Sequence, residues 1–285
     1  MAEQKRIAII TDSSCDLSDE QLAAHDIHMI SLRIVCQHAE YRDRVELNQE
    51  QLYELLQHEL PKTSLPLPED VSALYDRLLA DGVTDAIHLC ISSGLSGTFN
   101  MVRMIAEDYQ GKMNIHMVDS LSLSTGLGAM VLAVAEAIEA GDDPETAIQK
   151  AKSLRKSQLA MYVIRTLEYL RKGGRIGLVE GVVGNLLNIK PIIFVNDDGV
   201  YQTLAKARGY KAAAETMVQE AVKRYGQAKI NLSVVHGQAL EEAQVLMDKL
   251  KQVLNIQNSF IAPVSPVLAI HTGPGLLGII ANFVE

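Results

Sequence analysis

Asp85-Ala86-Ile87-His88-Leu89-Cys90-Ile91-Ser92-Ser93-Gly94-Leu95-Ser96-Gly97-Thr98 is the stretch that decides the fold. Up to Ser92 it is a short, mostly apolar run, which reads as a buried strand. Small residues and hydroxyls follow, and then Phe99, Val102 and Ala106 fall at helical spacing. Strand, Gly/Ser turn and helix in that order form the repeating unit of a parallel sheet. The order recurs on both sides. Arg6 to Ile10 reads as a strand ending in Thr11-Asp12-Ser13-Ser14, Asp26 to Gln37 as another, and Asn114 to Val118 as a fourth ending in Asp119-Ser120. Leu52, Leu55, Leu56 and Leu60 mark a helix, with Asn48 and Gln51 placed as a capping box. Val71, Leu74, Tyr75, Leu78 and Leu79 mark a second helix, and Leu127, Val131, Val134 and Ile138 another. Asp143-Pro144 opens one more, with Asp as cap and Pro at the first helical position. The expectation is an α/β fold of two domains. Residues 1–160 form a parallel-sheet domain with helices on both faces.

The second half has a different rhythm. Pro191 to Val195 and Val200 to Ala205 flank Asn196-Asp197-Asp198-Gly199, which predicts an antiparallel hairpin. Helices are expected near Lys211 to Tyr225 and Leu240 to Leu254, with a strand at Lys229 to His236 between them. Val267 to Gly278 reads as a strand running into a Gly-rich turn. Residues 161–285 are therefore expected to form a mixed-sheet α/β domain.

Composition removes several classes of function. The chain has 285 residues, 48% hydrophobic and 21% charged, so it can bury a core and is not disordered. Its net charge of −9 argues against nucleic acid, and no helix-turn-helix pattern is present. The 3 cysteines, Cys15, Cys36 and Cys90, show no CxxC spacing, which fits a reducing cytoplasm better than a disulfide framework. Met1 to Arg6 is charged and leads straight into a strand, without the apolar stretch of a signal peptide. No apolar run approaches the roughly 20 residues of a bilayer span, so no stable membrane insertion is expected. The histidines lack HExxH or paired spacing, so no metal site is expected.

Ligands of parallel α/β sheets sit outside the carboxyl ends of the strands. Those ends are rich here in hydroxyls and glycines, joined by an expected loop at Lys62-Thr63-Ser64-Leu65-Pro66. Such groups suit a small anion, although each turn alone is an ordinary helix cap. Neither GxxxxGK[ST] nor a strand-borne GxGxxG occurs, so nucleotide binding by those motifs is unsupported. His271-Thr272-Gly273-Pro274-Gly275 adds an imidazole able to hydrogen-bond an anion. Arg171, Lys172 and Arg175, around Gly173-Gly174, form a small basic cluster suited to an acidic partner or nucleotide.

Thr11-Asp12-Ser13-Ser14, Thr63-Ser64 before Pro66, Leu95-Ser96-Gly97-Thr98, Lys172-Gly173-Gly174-Arg175-Ile176, Lys190-Pro191 and His271-Thr272-Gly273-Pro274-Gly275 occur in that order from about Ile7 to Ile280. Together they resemble the DegV family, bacterial fatty-acid-binding proteins that work with a fatty acid kinase. The resemblance implies a ligand between two α/β domains and no catalysis or cofactor in this chain. It implies that the carboxylate of a long-chain fatty acid is held by Thr63, by a serine of the Ser93–Ser96 turn (Ser96 preferred) and by His271. Ser64, Gly97 and Thr272 complete that candidate set. It further implies that Arg175, with Arg171 and Lys172, faces the kinase subunit, whose ATP would convert the carboxylate to an acyl phosphate for phospholipid synthesis. Arg33 and Leu65 depart from the more polar or smaller residues expected of the family, which bears on tunnel shape. A fatty acid needs a dry tunnel with a polar end, and Ile30, Leu32, Met101, Leu127, Ile164, Ile192 and Leu268 are the candidate walls. The competing reading is an enzyme acting on a small phosphorylated or carboxylate substrate at the same rim, with Ser96 and His271 as nucleophile and base but no evident orienting acid.

Overall fold

The computed structural model describes residues 6–182 and 188–284; Met1 to Lys5, part of the charged start, lie outside the described residues. In chain order the elements are β1 (Ile7–Asp12), α1 (Asp19–Ala24), β2 (Ile27–Ile30), β3 (Arg33–Val35), β4 (Glu40–Arg42), α2 (Gln49–Leu55), β5 (Lys62–Ser64) and α3 (Pro68–Ala80). Then come β6 (Asp85–Cys90), α4 (Thr98–Glu107), β7 (Asn114–Asp119), α5 (Thr125–Glu139), α6 (Pro144–Ser157), β8 (Leu159–Val163) and α7 (Glu168–Lys172). The rest are β9 (Ile189–Val195), β10 (Tyr201–Arg208), α8 (Tyr210–Tyr225), β11 (Lys229–Gly237), α9 (Leu240–Val253), β12 (Asn255–Pro263), α10 (Pro266–Thr272) and β13 (Leu276–Phe283).

The first sheet has the order β2-β1-β6-β7 and is parallel throughout. The second has the order β10-β9-β8-β13-β11-β12, antiparallel except for β11 beside β12. This is the mixed α/β architecture expected from the sequence. Strand parity sorts the core into three layers. Ala8 and Ile10 of β1 pack outward with Val71, Tyr75 and Val102 of α3 and α4. Ile9 points the other way, into a central cluster shared with Leu127 and Val131 of α5 and with Tyr162, Ile193 and Ile280 of the second sheet. Met161, Ile192 and Ile279 on that sheet's far face pack against Met217 of α8 and Leu246 of α9. The central layer, closed by both sheets, is where a buried ligand can be enclosed.

Three expectations need correction. Asp26 to Gln37 is not one strand: β2 joins the parallel sheet, and after Ser31-Leu32 the chain turns into β3 of a separate antiparallel sheet, β4-β3-β5. Lys62 to Ser64 is a strand of that small sheet, pairing with β3, and not a loop. Val267 to Gly278 does not begin as a strand: Pro266 to Thr272 is helix α10, Gly273 and Gly275 take positive φ, and β13 starts only at Leu276. α10 is buried at Val267, Leu268, Ala269 and Ile270, so its hydrophobic pattern has no polar face to reveal a helical period.

Candidate functional site

The small sheet and α10 bring together residues distant in sequence. Thr63 on β5 and His271 in the last turn of α10 place Oγ1 and Nε2 2.8 Å apart. Burial, and then the Arg175 guanidinium, push His271 down to about 4, so the ring is neutral at pH 7. Its Nδ1 is buried and without a hydrogen-bond partner among the described residues. A neutral ring carries one N–H. On Nδ1 it would be buried with no acceptor, so we assign it to Nε2, donating to Thr63 Oγ1. The Thr63 hydroxyl hydrogen is then free to donate to an anion.

Thr63, Ser96, Arg175 and His271 form the polar side of a narrow cavity, otherwise walled by Leu32, Ile91, Leu95, Leu123, Tyr201, Val267 and Leu268. A second cavity is lined mainly by Leu123, Tyr162, Ile164, Leu170, Ile193, Tyr201, Val264, Leu268 and Leu276, with Ser124 and Thr272. Leu123, Tyr201 and Leu268 border both, so the two lie side by side. On the other side, Leu95, Ser96, Arg175 and Tyr201 also border an open surface depression with Ser93, Gly94, Gly97 and Gly174. The sequence from outside inward is open depression, polar mouth, apolar interior. Both cavities are slender, with little of their space wide enough for a water-sized sphere. A wider open depression at the opposite end of α10, near Pro266 and Arg44, is a poor candidate: Arg44 already donates to the Leu17 carbonyl and to Asp19.

Strain helps to shape the interior. Leu121 and Ser124, in the turn after β7, have φ of 50° and 55°. Ser124 is held there by its N–H to the Ser14 carbonyl (2.8 Å) and its hydroxyl to Asp16 Oδ2 (2.5 Å). Leu123 between them borders both cavities.

The other sequence candidates fall at different places. Ser64 is exposed, because strand parity turns it away from Thr63. Ser93 is exposed on the outer depression, and its N–H donates to Asp119 Oδ1 at 3.1 Å. Gly97 caps α4 and packs beside Leu65 at the surface. Thr272 borders the inner cavity, and its hydroxyl donates to the Leu268 carbonyl at 3.3 Å. Leu32, Ile164 and Leu268 line the cavities. Leu127 is in the central cluster but borders neither cavity. Ile30 and Met101 pack on the outer face of the parallel sheet, and Ile192 behind the mixed sheet, one residue of parity from cavity-lining Ile193. Arg33 pairs with Glu40 at 2.8 Å and does not border the cavities. Arg171 and Lys172 are exposed on α7, with Lys172 paired to Glu168. Arg175 is half-buried at the mouth and donates to the Gly173 carbonyl at 2.8 Å.

Most hydroxyls of the Ser/Thr-rich rim are used internally. Ser92 donates to the Gly199 carbonyl (2.7 Å), Ser120 to that of Ser122 (3.0 Å), and Ser96 and Thr98 bond to each other at 2.8 Å. His271 meets Thr63 rather than Ser96, and no carboxylate bonds its Nδ1 among the described residues. A nucleophile–base–acid arrangement is thus not assembled there. Among the described residues, no group of His, Cys, Asp and Glu is placed to hold a metal ion, and no helix is long and apolar enough to cross a membrane. Leu123, Tyr162, Leu170, Ile193 and Tyr201 were not among the sequence candidates. Only hairpin parity, which puts Ile193 and Tyr201 on the inward face, could have signalled any of them.

Fold and site together define an α/β protein that encloses an apolar cavity behind a polar mouth. The DegV family model matches residues 6–283, and the chain belongs to the DegV family. A DegV domain-containing protein of Clostridium acetobutylicum is 38% identical over 276 residues, covering 97% of this chain and 98% of the relative. A fatty-acid-binding DegV family protein from Thermus thermophilus has a similar structure, with a TM-score of 0.91 and 29% identity over 98% of this chain and 100% of the other. A stearic-acid-binding protein from Eubacterium ventriosum aligns with a TM-score of 0.89 and 26% identity, over 97% of this chain and 98% of its own.

Proposed function

We propose that this chain binds one long-chain fatty acid, with its carboxylate at Thr63, Ser96 and His271 and its hydrocarbon in the two apolar cavities. The observation that carries this reading is the Thr63–His271 hydrogen bond at the polar side of an otherwise apolar enclosure. Fatty-acid binding by its structural relatives supports it. Each buried methylene contributes about 0.8 kcal/mol, so a long chain gains on the order of 10 kcal/mol before ordering costs. A carboxylate taken from water needs donors and a nearby positive charge. Thr63 supplies a hydroxyl, Ser96 another when Thr98 is the donor of their pair, and Arg175 a cation in the same wall. The cavities are narrow, so entry of an acyl chain requires Leu32, Leu95 and Leu123 to part.

The open depression lets the bound carboxylate be approached from outside. Arg175 borders it and, with exposed Arg171 and Lys172 at the end of α7 just before it in the chain, suits an acidic or nucleotide-bearing partner. In this reading the partner is an ATP-dependent kinase in the cytoplasm, which converts the carboxylate to an acyl phosphate for phospholipid synthesis. The chain itself contributes binding and orientation rather than bond-making.

Native mass spectrometry before and after solvent extraction tests the reading. A stoichiometric fatty acid is expected, and Thr63→Ala should lower affinity roughly 10- to 100-fold, as for a lost hydrogen bond to a charged group. Arg171→Ala should keep the acid and lower acyl phosphate formation with the kinase. A protein that comes without lipid and takes up none when offered would overturn the proposal.

A further inference from the structure

Tyr162, on β8, is 5% exposed and borders the inner cavity. Its hydroxyl is buried and has no hydrogen-bond partner among the described residues. Two other hydroxyls on the same wall are committed, with Ser124 donating to Asp16 and Thr272 to the Leu268 carbonyl. Burial, with Tyr201 and Asp16 nearby, pushes the phenol well above its ordinary range, so it remains an O–H donor at any physiological pH.

The ring is fixed. It meets Tyr201 edge-on, with centroids 6.5 Å apart, and Gly278 on the paired strand β13 lies so close that a side chain there would strike the ring. The hydroxyl therefore cannot swing far to find another acceptor. A buried donor left unpaired is destabilising, and phenylalanine would fill the same space without that penalty. An unpaired donor bordering a ligand cavity points to an acceptor on the ligand.

We propose, resting on the fatty-acid reading above, that Tyr162 is a specificity-determining donor for a fatty acid bearing an uncharged oxygen on its chain, a hydroxyl or oxo group beyond Leu123, Tyr201 and Leu268. A second carboxylate is excluded, because the inner cavity offers it no cation. A cis double bond is only a weak π acceptor, and a saturated chain offers none.

The test is competition on delipidated protein, read by native mass spectrometry, between a mid-chain monohydroxy octadecanoic acid, octadecanoic acid and a cis-octadecenoic acid. The hydroxy acid should win by about tenfold over the saturated one. Tyr162→Phe should abolish that preference while retaining or improving octadecanoic acid binding. Saturated acid bound as well as the hydroxy acid by the unmodified protein overturns the inference alone, with a trapped water as the donor's partner. The same holds for a preference that survives Tyr162→Phe, or for the octadecenoic acid binding best. The unmodified protein's preference decides the matter even if the variant folds poorly. Failure of all three acids to bind overturns the fatty-acid reading with it.

Discussion

His271 owes its position to two residues without side chains. Gly173, at the end of α7, lies so close to the His271 ring that a Cβ there would collide with Nδ1, and Gly273 does the same for the Tyr169 ring. Gly173 and Gly174 look alike in sequence, and a glycine pair there suits the end of a helix. That reason holds for Gly174, which has φ of 70°. The Arg175 N–H reaches the Leu170 carbonyl and the Gly174 N–H the Arg171 carbonyl, a Schellman cap. Gly173 has φ of −78°, open to any residue, and its constraint is the contact with His271, which no local signal announces. The two substitutions should therefore behave differently. Gly173→Ala should displace the imidazole and lower fatty-acid affinity at least tenfold, with a stability loss of about 1–3 kcal/mol from overpacking. Gly174→Ala meets open space, so it should cost about 1 kcal/mol in backbone strain and leave affinity near normal. Acid titration beside urea unfolding separates the two. Equal affinities in both variants would mean that the His271 ring does not hold the acid.

α10, the element that carries His271, is anchored at its other end by two buried carboxylates. Asp16 accepts from the Ser265 N–H at 2.8 Å, and Asp43 from the Val267 N–H at 3.1 Å. Burial pushes Asp16 up to about 6 and Asp43 up to about 7, with hydrogen bonds and Arg44 offsetting part of the effect. Each raised value means that the folded state holds its proton more tightly than the unfolded chain, whose carboxylates titrate near 3.9. This contribution to stability is therefore full below about pH 4 and declines as pH rises through 6 to 7. Asp43→Asn keeps an oxygen for the Val267 N–H and removes the charge. It should stabilise the protein at pH 8 by about 1–3 kcal/mol and do little at pH 4, which urea unfolding across that range will measure. A pH-independent loss would show that the carboxylate is not held ionised in the core. The element scale is also where the sequence was least legible. The long amphipathic helices α3, α5 and α9 and the β9–β10 hairpin stand where their periods put them. α10 was mistaken for a strand because apolar residues surround it, although Ser265-Pro266 is a readable helix start. β5 and β12 went unread because short or exposed edge strands carry too few inward residues to set a period.

At the scale of the whole molecule, the Ser-rich rim that the sequence suggested as an anion site is mainly a joint between the two sheets. The tip of the β9–β10 hairpin docks on it. Ser92 donates to the Gly199 carbonyl, Arg155 donates to the Asn196 carbonyl at 2.6 Å and to that of Leu121 at 3.0 Å, and Gly94 packs under Val200. Hydroxyl-rich turns look the same in sequence whether they bind a ligand or another part of the chain, because both demands are for donors close to a backbone. The joint still bears on function. Tyr201, two residues beyond Gly199, borders both cavities and the outer depression, so the seating of the hairpin sets the width of the mouth. Gly199 has φ of 72°, and a Cβ there would strike the Ser92 hydroxyl and lie 2.9 Å from Leu121 Cα. Gly199→Ala should thus cost about 2–4 kcal/mol, raise amide exchange in β10, and weaken acid binding by moving Tyr201. Ser92→Ala removes one donor without touching the backbone, so it should cost only about 1–2 kcal/mol and leave the mouth in place. If the joint governs the mouth, affinity will follow exchange in β10 across the two variants. If Gly199→Ala loosens β10 while affinity stays constant, the mouth is held without the hairpin, by Leu95 and Arg175.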